Sequence, residues 1–143
     1  MAPSRFNVRV YGIWIHNGSL LVNEERIRGR QVTKFPGGGL ELGEGTIDGL
    51  KREWHEELGL HIEVLDHFYT TDFFQPSAYD DSQVLSIYYL VSGGDPTAAI
   101  TNHVDGERTY WMPLQAVSGE TFTLPIDKIV GGMLATLYSN SLG

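Results

Sequence analysis

Glu53, Glu56 and Glu57 crowd into one short stretch, directly after Arg52 and a little downstream of Glu44. At about 100° of rotation per residue, the three carboxylates share one flank of a helix, within an arc of about 100°. A helix gains nothing from that arrangement. Glu53 and Glu57 form a like-charge i,i+4 pair, which costs a few tenths of a kcal/mol. Neighbouring carboxylates also raise each other's pKa unless a cation neutralises them. A hard divalent cation resolves the conflict. Mg²⁺ takes oxygen ligands in near-octahedral geometry and keeps waters and substrate phosphates in the rest of its shell. Arg52 precedes Glu56 by one turn and can orient a carboxylate through a forked hydrogen bond. Pro36-Gly37-Gly38-Gly39 supplies backbone that can approach a phosphate or metal with no Cβ in the way. Glu44 lies just before the helix, where the helix dipole favours a carboxylate. The plainer reading of the same residues is an acidic surface helix after a glycine turn.

The element that positions these groups is a helix predicted over 47–58, with Thr46 as N-cap and Gly59 just past its C-terminus. Ile47, Leu50, Trp54 and Leu58 share its core-facing side. Upstream, alternation over Phe6 to Ile15 predicts a long strand. Asn17-Gly18 is a hairpin turn, and Ser19 to Asn23 the returning strand. Glu24 to Arg30 reads as a charged, solvated loop, with a phosphate- or sugar-facing edge as the alternative, and Val32 to Phe35 as a short strand leading to the glycines, with Lys34 at the surface or, less favoured, reaching a phosphate. Downstream, His61 to Tyr69 and Gln83 to Val91 are predicted strands. Between them, Thr70 to Asp81 is a loop rich in aromatic and turn residues. Thr97 to Gly106 reads as an exposed loop, and Arg108 to Met112 as a short strand ended by Pro113. Pro125 opens a final helix whose apolar stripe is Ile126, Ile129, Val130, Met133, Leu134 and Leu137. Gly131-Gly132 weakens that helix and points to close packing.

The 143 residues carry 10 basic and 18 acidic side chains, a net charge of −8. That disfavours nonspecific binding to nucleic acid or to an anionic membrane. There is no cysteine, which excludes a disulfide frame, a zinc thiolate site and a thiol nucleophile. No apolar run reaches the length of a membrane span, and a cytoplasmic location is the default expectation. There is no internal repeat or linker, so residues 1–143 read as one domain of strands flanked by two helices. Oligomeric state is not legible, and a homodimer is compatible with the sequence.

The stretch resembles the signature of the Nudix hydrolases, G-x5-E-x7-R-E-U-x-E-E-x-G-U, where U is a bulky apolar residue. Gly38, Glu44, Arg52, Glu53, Trp54, Glu56, Glu57, Gly59 and Leu60 match every fixed position. The resemblance implies an α/β fold, a mixed β-sheet sandwiched between helices. It also implies Mg²⁺- or Mn²⁺-dependent hydrolysis of a nucleoside diphosphate linked to another group, X. By that resemblance Glu53 and Glu57 are principal metal ligands, Glu56 is a further ligand, and the Gly37 carbonyl completes the shell. Arg52 orients the glutamates, and Glu44 is a supporting acid. The general base comes from a later loop in many members of the family, and Glu107 and Asp105 are the candidates here, with Asp95 behind them. Gly38 and Gly39 are expected to approach substrate. Phe74 and Tyr79, with Phe73, could stack on a base or form a lid. Pro76 follows the motif at the spacing seen in some relatives acting on ADP-ribose and similar nucleotide sugars. Nucleoside triphosphates as substrates, and a nucleotide-binding module without turnover, are the alternatives.

Overall fold

The computed structural model describes residues 2–102 and 107–142. The chain runs through β1 (Arg5–Ile13), β2 (Ile15–His16), β3 (Ser19–Ile27), β4 (Arg30–Lys34), β5 (Gly37–Gly39), α1 (Thr46–Leu58), β6 (Glu63–Thr70), β7 (Ser82–Ser92), β8 (Thr101–Asn102), β9 (Arg108–Pro113) and α2 (Pro125–Leu142). One sheet has the order β5-β1-β7-β6. Its central pair, β1 and β7, is parallel from Arg5↔Ser82 to Ile13↔Leu90, and β5 and β6 join antiparallel. The second sheet is built on β3. Strand β9 takes one edge, β2 and β4 share the other, and β8 pairs with β9.

Alternation along β1 explains the layering. Val10 packs with Leu50, Trp54 and Leu58 of α1, whereas Tyr11 and Ile13 pack with Ile126, Val130 and Leu134 of α2. Successive side chains of a strand point to opposite faces, so the same strand feeds two cores, one under each helix. The result is a mixed α/β fold with sheet between helices. No helix among the described residues is long and apolar enough to cross a membrane.

Several local expectations change. The predicted strand Phe6 to Ile15 divides at Trp14, whose carbonyl accepts from the Leu21 N–H, and the chain passes there from one sheet to the other. Asn17-Gly18 forms the expected turn, both with positive φ. The charged stretch Glu24 to Arg30 is not a loop. It extends β3 and turns into β4 through Arg28-Gly29, with φ of 52° and 77°. Lys34 is buried and paired to Glu25 rather than lying at the surface. Thr46 does not cap α1, because Gly45 holds that position without a side-chain bond and Thr46 begins the helix. Ile47 is exposed, while Leu50, Trp54 and Leu58 are buried. Along α2, Ile126, Val130 and Leu134 are buried, Ile129 and Leu137 are exposed, and Met133 is half-buried. The buried stripe is thus narrower than the expected one, keeping only Ile126, Val130 and Leu134. Gly131 does permit close packing, since a Cβ there would come within 2.6 Å of Phe122, but Gly132 meets nothing. The loop after Pro96 buries Ala99 completely, and 103–106, including Asp105, lie outside the described residues.

Asp127, in the first turn of α2, is buried and accepts a hydrogen bond from the Tyr88 hydroxyl. Burial pushes its carboxyl up to about 7, against the opposing pull of Tyr88, Lys34 and Arg9. In the unfolded chain it returns to about 4. The folded state therefore binds the extra proton between those values, and stability falls as pH rises through the window. Asp127→Asn is expected to remove that fall. Urea unfolding at pH 5 and pH 8 checks this, the variant gaining on the wild type at the higher pH.

Candidate active site

Helix α1 presents its acidic flank because its other side is anchored. Trp54 is 1% exposed, and its indole N–H donates to the Pro36 carbonyl at 3.1 Å. That bond ties the helix to the glycine strand β5. At the C-terminus Gly59 takes the left-handed conformation, φ 67°. Its N–H and that of Leu60 return to the carbonyls of His55 and Trp54, satisfying the helix end. At the other end, the Thr46 hydroxyl meets the Tyr89 hydroxyl at 2.7 Å.

Arg52 is the hub. Its Nε donates to Glu44 Oε2 at 2.9 Å and its Nη2 to Glu44 Oε1 at 2.7 Å, a two-pronged pairing. Nη2 also reaches the Gly39 carbonyl at 3.0 Å. Nη1 donates to Glu53 Oε1 at 3.0 Å and to Glu56 Oε2 at 3.2 Å. The fork thus falls on Glu44, and Glu53 and Glu56 take single bonds. Glu44 is pulled down to about 2 by the Arg52 bonds and by the Glu41 N–H. Glu53 is tucked against β5, where a Cβ on Gly38 would stand 2.5 Å from its Oε2. The side chain of Glu56 is more than half exposed.

Glu57 belongs to a different neighbourhood. Burial raises its carboxyl to about 7, Glu53, Glu107 and Glu25 add repulsion, and Lys34 opposes them. The side chain keeps an open path to solvent while protein surrounds much of it. Glu107 is half-buried and accepts from Asn23 Nδ2 at 3.3 Å. The Asn23 carbonyl oxygen is buried with no hydrogen-bond partner among the described residues. Asp95 accepts from the Thr97 N–H in a turn. Among the described residues no three histidine, aspartate or glutamate side chains converge closely enough to hold a metal by themselves. The donor set nevertheless fits a hard cation. It offers a partly desolvated carboxyl at Glu57 crowded by Glu53, Glu107 and Glu25, a bare glycine backbone beside Glu53, and the unpartnered side-chain oxygen of Asn23, whose amide nitrogen bonds Glu107. Mg²⁺ is usually held by one or two protein carboxylates, with waters and phosphates completing its shell.

Next to this flank lies a cleft of about 480 Å³. Arg9, Tyr11, Glu25, Lys34, Tyr88 and Asp127 line it, with Pro76 and Tyr79 at the loop side. The Arg28 guanidinium lies 5.4 Å from the Tyr79 ring centroid. Phe74 does not line the cleft and is largely exposed. Sequence reasoning missed Arg9 and Asp127, and it placed a phosphate-facing role for Lys34 and for the stretch holding Glu25 behind a surface reading. The available signal was the polar row Asn7, Arg9, Tyr11 on one face of a strand whose other face is core.

Arg52→Lys is expected to lower the urea midpoint at neutral pH, because one ammonium cannot span Glu44, Glu53, Glu56 and the Gly39 carbonyl. The stabilisation of Glu44 is fully present above the ordinary glutamate range and is lost as pH falls toward about 2. The gap between wild type and variant should therefore close on acidification.

A NUDIX domain profile matches residues 5–130. No curated protein sequence matches significantly. Among solved structures, the MutT protein of Methanosarcina mazei Go1 superposes with a TM-score of 0.71 at 20% identity, over 96% of each chain. The E. coli ORF135 protein gives 0.69 at 16% identity, covering 96% of this chain and 93% of its own. A NUDIX hydrolase from Nitrosomonas europaea gives 0.67 at 22% identity, over 88% and 87%. Those identities speak to the fold, and the profile, spanning β1 to the middle of α2, speaks to ancestry: the chain belongs to the Nudix hydrolase family.

Proposed function

We propose that this chain hydrolyses the diphosphate bridge of a nucleoside diphosphate linked to a second group, with Mg²⁺ or Mn²⁺ as cofactor. The observation that carries the reading is that Gly39 stands between the acidic flank and the cleft: its carbonyl accepts from Arg52, and Arg9, which lines the cleft, lies beside it. Glu25 and Lys34 line the cleft and both act on Glu57, and Arg9 lines it and acts on Glu53. Pro76 and Tyr79 on the cleft wall favour a nucleotide sugar such as ADP-ribose over a plain triphosphate.

Glu53 and Glu57 would hold the cation, with Glu56 and the Gly37 carbonyl as further ligands. When bound, the cation neutralises charge on phosphoryl oxygens and lowers the pKa of an attached water. The protein's own tasks are positional. Arg52 holds Glu44, Glu53 and Glu56 in one register. Gly38 lets the Glu53 carboxylate lie against β5, and Gly39 offers its carbonyl to Arg52. Glu107 is the proposed acceptor for the proton of the attacking water, with Asp105 as the alternative. Tyr79 contributes an aromatic wall, and the exposed Phe74, outside the cleft lining, is retained as a stacking candidate. We read residues 1–143 as one cytoplasmic domain acting on a small molecule, without nucleic-acid or membrane partners, and a homodimer is compatible with this reading.

A panel of nucleotide sugars, dinucleotides and nucleoside triphosphates, incubated with Mg²⁺ and resolved by product mass, tests the proposal. Two phosphorylated products are expected from a nucleotide sugar, and binding without any cleavage would favour a sensor. Glu57→Gln should lose nearly all metal-dependent turnover while remaining folded, and wild-type turnover in that variant would refute the assignment. Gly38→Ala should weaken Mg²⁺ binding by about tenfold or more, by displacing Glu53. Gly39→Ala should be milder, since its added carbon would meet only Arg9 Nη1, at 3.7 Å.

A further inference from the structure

The cleft holds two cations, and they are not equivalent. Lys34 is ion-paired to Glu25. Arg9 forms no ion pair among the described residues. Its Nε donates to the Tyr11 hydroxyl at 2.6 Å, and its guanidinium carbon lies 5.7 Å from the Tyr11 ring centroid. Tyr11 is itself fixed. It is 5% exposed and stacks on Tyr88 with ring centroids 5.3 Å apart. The Tyr88 hydroxyl donates to the buried Asp127. A chain of contacts from Asp127 through Tyr88 and Tyr11 thus sets the plane of the Arg9 guanidinium. With Nε committed, the two terminal nitrogens have no hydrogen-bond partner among the described residues, and Nη1 lies over the bare Gly39 of β5.

A half-buried arginine needs a reason to stay there. Desolvation works against its charge, but Tyr11, Glu53 and Asp127 outweigh that and hold it protonated. The other charges in the cleft leave room for an anion. Glu25 is neutralised by Lys34, and Asp127 is buried behind Tyr88. The chain as a whole carries −8, so an anionic ligand is repelled at long range and needs a local donor within about a Debye length, 8–10 Å. An arginine held in plane with two free N–H groups suits a pair of oxygens on one phosphorus.

We propose that Arg9 is a substrate-binding residue, a preset fork that grips two non-bridging oxygens of the diphosphate from the cleft side of β5. The ligand class rests on the pyrophosphohydrolase reading above, whereas the fork rests on the Arg9–Tyr11–Tyr88 contacts alone. Arg9 would bind the diphosphate from the face of the glycine strand opposite Glu53, so that the bridge is held from both sides.

Calorimetric titration of inorganic pyrophosphate into the full chain, with Mg²⁺ present, tests this. Arg9→Gln should weaken binding by about tenfold or more while Mg²⁺ affinity is unchanged. Arg9→Lys should recover only part of the loss, because an ammonium lacks the fork. Tyr11→Phe keeps the ring and removes only the hydroxyl, so it remains informative should Arg9→Gln fold poorly, and it should weaken binding by a smaller factor. Wild-type affinity in Arg9→Gln, or in both Arg9→Lys and Tyr11→Phe, would overturn the proposal, as would a wild type that does not bind pyrophosphate. A wild type that binds pyrophosphate through Arg9 yet cleaves no nucleotide would remove the hydrolase reading and leave the Arg9 assignment standing. Cleavage that is insensitive to Arg9→Gln would do the reverse.

Discussion

One guanidinium holds the acidic flank together. Arg52 bonds Glu44 through a fork, Glu53 and Glu56 singly, and the Gly39 carbonyl at the neighbouring strand. Without it, three carboxylates would repel one another, one in the loop before α1 and two on the helix. With it, the loop before α1, the helix and β5 become one rigid unit. The fork on Glu44 also explains why a glutamate outside the helix belongs to the same chemical group as those within it.

That unit is held from behind by Trp54. Its buried ring fills the core between α1 and β1, and its N–H closes on Pro36. A smaller apolar residue would keep the helix amphipathic but would lose the hydrogen bond that joins it to the glycine turn. Helix rotation, strand position and carboxylate placement are therefore coupled through two side chains on one helix, Trp54 facing in and Arg52 facing out.

Glu57 is the carboxylate that Arg52 does not reach. Its partners come from β3, β4 and the start of β9: Glu25, Lys34 and Glu107. Of these elements β3 and β4 also line the cleft, through Glu25 and Lys34. The molecule thus divides the acids into a set bound by Arg52 and one, Glu57, that is partly desolvated and crowded by Glu53, Glu107 and Glu25, with Lys34 opposing them. Hard cations are drawn to the second kind of site.

The local pattern of residues carried much of this. The spacing of Glu44, Arg52, Glu53, Glu56 and Glu57, the apolar positions 50, 54 and 58, and Gly59 after them determined the helix, its buried side and its end, because these depend on residues within a few turns of each other. Asn17-Gly18 determined its hairpin for the same reason. Tertiary structure decided what depends on partners far along the chain. Charge in Glu24 to Arg30 suggested solvent, but pairing with β4 and β9 made it strand. Lys34 looked like a surface cation, until Glu25 across the hairpin gave it a buried partner. Ile47 and Leu137 are apolar by type and exposed by place, because a flat sheet covers only a narrow stripe of a helix. Arg9 is the clearest case. Alternation along β1 gave its face, but only parallel pairing with β7 set Tyr88 beside Tyr11, and only the docking of α2 brought Asp127 to the Tyr88 hydroxyl.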